Sequence, residues 1–248
     1  MKKLIYLFIA GGLLFSVQSC DVLEEAAGAL GTNSSSGTSS SSLTNQEVIS
    51  GLKEALNVGI KNAVDVTSIT DGFFKNSEIK IPFPESANAV KEKAIEWGMS
   101  GQVDKIVLTL NRAAEDAAKE ATPIFLNAIK NMTIQDGFAI LNGGDGAATN
   151  FLRKNTTDAL VTAFSPKVQN SIEKVKLTEY WEPVATKYNQ AMMLTGGKKV
   201  EVDLNKYVTE KAINGLFNMV EKEENKIRKD PVARVTEILQ KVFGSIGK

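Results

Sequence analysis

Histidine is absent from all 248 residues. The one side chain whose ordinary pKa lies near neutrality is therefore missing, and with it the usual nucleophile–base relays and imidazole metal sites. Cys20 is the single cysteine, which excludes a disulfide within the chain. Charge of one sign is not in surplus: 29 basic side chains face 29 acidic ones, with no Lys/Arg cluster. Phosphate neutralisation needs such a surplus, so nucleic acid is not an expected partner. The one sustained apolar run, Leu4 to Val17, stops at about fourteen residues, short of the ~20 a membrane-spanning helix requires. What remains is a chain of ordinary globular composition, 43% hydrophobic.

The run at the start is informative because it is short. Lys2 and Lys3 precede it as a positive flank, and a short apolar segment behind such a flank is the pattern of a secretory signal. It ends in "VQSC", which resembles the bacterial lipobox: Ser19 fills the small position before the cysteine and Val17 the apolar one, while Gln18 departs from the pattern. The resemblance implies that residues 1–19 are a lipoprotein signal peptide and that Cys20 is the site of lipid attachment, palmitate included; the competing reading is an idle thiol in an uncleaved signal. Two or more acyl chains hold a protein stably where one holds it marginally, so such a Cys20 would be a lasting anchor. Without the signal, 27 basic side chains face 29 acidic ones.

Residues 20–43 have little to bury. "TNSSSGTSSSS" cannot offset its ordering entropy and is expected to be a flexible tether with an r.m.s. span of about 25–30 Å. "DVLEEAAGAL" before it is a candidate brief helix, and its acids resemble the sorting signals of some bacterial lipoproteins. The expected location is a bacterial membrane, the outer one, with the domain facing the periplasm or the cell surface.

From residue 44 to 248 the pattern predicts one all-α domain, a compact multi-helix unit of about nine to eleven helices with at most a short extended arm or hairpin. Thr44 and Glu47 form a capping box ahead of Val48, Leu52, Ala55, Leu56, Gly59, Ala63 and Val66. Gly72, Pro82 and Pro84 then break periodicity, and alternating Ile79, Ile81 and Phe83 predict an extended arm on the core, with a short edge strand as an option. Ser86 and Ser100 read as caps of the next two helices, with Gly98 closing the first. Pro123, Pro166 and Pro231, each after a capping residue, read as helix starts. Thr133, Thr178 and Asp203 open three more, and "GGKKVEV" is a second candidate strand. Helix is expected over about 60–70% of the domain, double the globular average.

Two polar stretches are candidate sites. In "ILNGGDGAATNFLR", Gly144 to Thr149 approaches the G-x-G-x-x-G/A dinucleotide fingerprint. Thr149, however, occupies the last small position, and a helical turn rather than a strand precedes the loop. The simpler reading makes Gly143 a left-handed helix end and Asp145 the cap of the next helix; the alternative is an anion held at that helix start, with Arg153 two turns on. In "LNRAAEDA", Arg112 meets Glu115 or Asp116 on one helix face, either as a solvated pair or as a buried Asn111–Arg112–Glu115 network. Asn111, Arg112, Glu115, Asp145, Thr149 and Arg153 together are the residues of a candidate polar cleft. "EKEENKIRK" reads as a solvated helix end in which Glu224 pairs with Arg228.

At "GLKEALNVGIKNAV", "DGFFKNSEIKIPFP", "NRAAEDA" and "YVTEKAINGLFNMVEKEENKIRKDPVARVTEILQKVFG" the chain resembles the bacterial domain of unknown function 4197 family, over nearly everything from Gly51 to Gly244. The resemblance implies secreted, often lipidated, mainly helical proteins with no assigned reaction, and carries over no catalytic residue. "MMLTGGKKVEV" departs from the pattern. No catalytic residue, metal ligand or cofactor is expected. The leading expectation is a lipid-anchored cell-envelope helical domain acting as a binding or interaction module toward an envelope protein or small ligand. Its alternatives are a structural spacer and a carboxylate-dependent enzyme. Exposure of Phe73, Phe74, Phe83, Trp97 and Trp181 around one groove would favour binding, and burial of all five the spacer.

Overall fold

Thr44 opens the first helix, α1 (Asn45–Thr67), by the reciprocal arrangement its sequence implies: its hydroxyl accepts from the Glu47 N–H at 3.2 Å and the Glu47 carboxylate accepts from the Thr44 N–H at 2.8 Å. The computed structural model describes residues 44–174, 177–234 and 236–245; the expected signal peptide, Cys20 and the expected tether lie outside them. A second capping box, Thr133 with Asp136, starts α5 (Ile134–Asn142), and the Asp203 side chain caps α8 (Leu204–Lys229). These hydrogen bonds stabilise the charged form of both box carboxylates: the Thr44 backbone donor holds Glu47, and the Thr133 hydroxyl Asp136, below the usual carboxylate range.

Elsewhere the starts differ from the sequence pattern. Ser86 falls in a 3₁₀ turn (Glu85–Ala87) and caps nothing; α2 (Asn88–Glu96) follows it directly. Ser100 is the first residue of α3 (Ser100–Ala118), with Met99 in the cap position. Pro123 sits in the first turn of α4 (Ala121–Lys130), close to expectation. Pro166 does not start a helix but lies within α6 (Ala147–Lys174). An interior proline removes a hydrogen bond at a cost of about 3 kcal/mol. Here Leu160, Phe164 and Val168, all fully buried on one face, run straight through it and offset that loss by packing. Pro183 is likewise inside α7 (Leu177–Thr195), and Pro231 opens a 3₁₀ turn before α9 (Glu237–Ser245).

The continuity of α6 is one reason why helix reaches 79% of the described residues, above the 60–70% expected for the domain. Among the described residues there is no strand. Ile79, Ile81 and Phe83 are nevertheless buried at alternate positions, so the arm is extended and inserted but pairs with no second strand. Helix α8 is the centre of the domain and packs against α1, α3 and α6. The arm reaches it at Gly215, where an added Cβ would meet the Phe73 ring at 2.7 Å. Phe125 and Phe217 meet edge to face with centroids 5.6 Å apart. Val66, expected on the buried stripe of α1, is exposed, because the buried face continues through Ile60, Ala63 and Val64 instead. None of the described helices is long and apolar enough to cross a membrane.

Candidate functional site

Helix α3 carries two polar residues inside its apolar stripe. Asn111, fully buried, accepts from the Ile81 N–H and donates to the Ile81 carbonyl, both at 2.8 Å, so its amide does what a neighbouring strand would do. One turn on, buried Glu115 accepts the backbone N–H groups of Phe73 and Phe74 at 3.1 and 3.2 Å through one oxygen and Arg112 at 2.7 Å through the other. Arg112 also donates to Asp71 at 2.6 Å. Asp71 adopts φ 70°, and Lys75 first, then Arg112, hold its carboxyl below the usual range. Neither sequence reading of this stretch holds whole: Asn111 and Glu115 are buried but make separate sets of bonds, Arg112 is half-buried, and both sets clamp the arm to α3. Asp116 instead serves Lys119 at 3.0 Å and Ser171 at 2.8 Å.

The glycine loop is built differently from its expected form. Gly144 and Gly146 take left-handed φ of 75° and 74°, whereas Gly143 stays right-handed at −80°. Asp145 does not cap α6: its carboxylate pairs at the surface with Lys229. The group at the start of α6 is Glu224, reaching across from α8 to accept the Ala148 and Thr149 N–H groups at 3.0 and 2.9 Å and the Thr149 hydroxyl at 2.8 Å. A helix start favours an anion through its free N–H groups and dipole, and the fold supplies its own. Arg228 completes the arrangement, binding Glu224 at 2.9 Å and the Ile140 carbonyl at the end of α5 at 2.8 Å. Glu224 and Arg228, expected to be solvated, are only 6% and 12% exposed. Asp145→Ala should therefore cost no more than about 0.5 kcal/mol in a denaturant titration, the scale of an exposed pair rather than of a cap.

The six candidate residues thus serve two different joints. Asn111, Arg112 and Glu115 hold the arm, while Asp145, Thr149 and Arg153 all engage α8. Arg153 donates to Asn214 at 2.9 Å and lies over the Phe217 ring at 4.3 Å. The sequence did carry one overlooked signal: Glu224 continues the apolar stripe of Leu216 and Val220 at helical spacing, where an acid must find a partner. An apolar cavity of about 20 Å³ lies beside Glu224 beneath α9, room for one water at most.

A larger concavity was not anticipated. Between α4, α5 and α6 an open groove of about 490 Å³ is floored by Ile124, Ala128 and half-buried Phe151 and edged by Asn127, Asn131, Asn155 and Asp136. Asn131 donates to the Asn127 oxygen at 3.2 Å and Asn155 to the Phe151 carbonyl at 2.7 Å. These bonds leave Asn127 Nδ2 and the Asn131 and Asn155 oxygens for another partner. One Asp136 oxygen is held by Thr133, at 2.7 Å to the hydroxyl. Lys53 on α1 donates to the Lys130 carbonyl at 3.1 Å, and Ile49 packs at Gly137, so the groove lies near the end of the domain where α1 begins. The aromatic residues proposed as discriminators divide: Phe73 and Phe83 are buried, whereas Phe74, Trp97 and Trp181 are half-buried and do not line this groove. Among the described residues no three acidic side chains gather closely enough to hold a metal ion.

The model of a family described as a protein of unknown function, DUF4197, matches residues 42–244. No curated protein and no solved structure matches the chain.

Proposed function

The chain belongs to the DUF4197 family, whose function is unknown, and we propose from its own residues that it is a lipid-anchored binding module of the bacterial cell envelope. The observation that carries the reading is the α4–α6 groove: its size falls within the 300–1,000 Å³ range of ligand sites, and its exposed amides leave hydrogen-bonding atoms that no protein group takes. A carboxylate-dependent enzyme has less support, because the two buried carboxylates, Glu115 and Glu224, are each engaged by two backbone N–H groups and an arginine. Such groups are committed to structure rather than poised for proton transfer.

The anchor and the groove are tested separately. Cys20→Ala should move the protein from the membrane fraction to the soluble one; a variant that still sediments after a salt wash would reject lipidation as the attachment. In the released chain, the side-chain amide NMR signals of Asn127, Asn131 and Asn155 should shift on titration with a soluble envelope extract. Ala159→Trp, which fills the groove from an exposed position, should abolish those shifts. Unmoved amide signals would leave the spacer role standing.

A further inference from the structure

We propose that the groove between α4, α5 and α6 is a glycan subsite that takes a neutral sugar; the assignment rests on the binding reading above and names its ligand class. No lysine or arginine lines the groove, Lys154 acting on Asp136 only from outside the lining, which argues against an anionic ligand; its one acid, Asp136, has Oδ2 already engaged by Thr133. A cation would find little to neutralise it. What the lining offers is uncharged hydrogen bonding: a donor at Asn127 Nδ2 and acceptors at the Asn131 and Asn155 oxygens, beside the second oxygen of Asp136. Each sugar hydroxyl both donates and accepts, so neighbouring hydroxyls can satisfy a mixed set of this kind.

The amides are exposed, and each makes one bond within its own helix or cap. The Asn131–Asn127 and Asn155–Phe151 bonds leave Asn127 Nδ2 and the Asn131 and Asn155 oxygens for a ligand. Phe151, Ile124 and Ala128 supply an apolar floor for the C–H face of a sugar ring. A peptide fits less well. An extended peptide gains its affinity from a free strand edge, and this groove is walled by helices whose backbone groups bond internally. A helical peptide needs an apolar trough, and asparagines line this one.

The test uses the full chain carrying Cys20→Ala, titrated in parallel with N,N′-diacetylchitobiose, maltose and trialanine. At least one of the two sugars should shift the Asn127, Asn131 and Asn155 side-chain amide signals saturably, and trialanine should not. Asn155→Leu, at an exposed position whose amide otherwise bonds only within its own helix, should weaken sugar binding about tenfold. Lys198→Ala, exposed on the α7–α8 connection and outside the groove lining, should leave it unchanged. If neither sugar moves these signals while trialanine or the envelope extract does, the glycan assignment is overturned and the binding module stands. If sugars, peptide and extract all fail, both fall.

Discussion

Glu224→Ala is expected to lower the stability of the domain by about 3–5 kcal/mol. Three donors lose their acceptor at once: the Ala148 and Thr149 N–H groups and the Thr149 hydroxyl. Arg228, 12% exposed, loses its counter-ion and keeps only backbone contact with Ile140. The start of α6, the end of α5 and the last turns of α8 meet at this carboxylate, so no local rearrangement replaces it. For a domain of this size each kcal/mol moves the melting temperature by about 2–4 °C, so the midpoint should fall by roughly 10 °C. Replacing both partners with leucine should recover only the part of the loss due to an unpaired Arg228, because the Ala148 and Thr149 donors stay without an acceptor. A thermal melt of Glu224→Ala within 2 °C of the parent, roughly a 1 kcal/mol effect or less, would show that the α6 start is satisfied by water instead.

That junction also shows where sequence reasoning ends. Capping boxes are local, three residues from donor to acceptor, and Thr44–Glu47, Thr133–Asp136 and the Asp203 cap are all legible in the string. Glu224 lies 75 residues from Thr149, and nothing in "GDGAAT" says that its anion comes from another helix. The sequence therefore assigned the nearest acid, Asp145, to that task. Pro166 misled for a related reason: a proline after serine favours a helix start locally, and only the burial of Phe164 and Val168 on either side makes an interior proline tolerable. The groove was illegible because Asn127 and Asn131, one helical turn apart at the end of α4, read as an ordinary solvated face, and nothing local says that Asp136 of α5 and Asn155 of α6 lie opposite them. The arm, by contrast, was readable in the alternation of Ile79, Ile81 and Phe83, although its partner proved to be a side chain.

Asn111→Ala should cost about 2–5 kcal/mol and, unlike the loss of Glu224, should act first on one segment. The exchange strands the Ile81 N–H and carbonyl, and Ile81 is only 1% exposed, so water does not readily replace the amide; each unsatisfied buried group costs about 1–3 kcal/mol. Asn111→Asp should fail to rescue it. A carboxylate still accepts from the Ile81 N–H, but its second oxygen would face the Ile81 and Val107 carbonyls, to which the native amide donates at 2.8 Å. The same device recurs at Asn189, which accepts from the Val200 N–H at 2.8 Å and donates to its carbonyl at 3.3 Å. Val200 is only half-buried, so water can take over there and Asn189→Ala should cost about 1 kcal/mol or less. Hydrogen exchange separates a local clamp from general destabilisation: in Asn111→Ala the Ile81 amide should lose far more protection than amides in the middle of α8. If both sets lose protection equally, the arm is not an independent unit held by Asn111, and its attachment resides in the burial of Phe73, Ile79 and Phe83 instead.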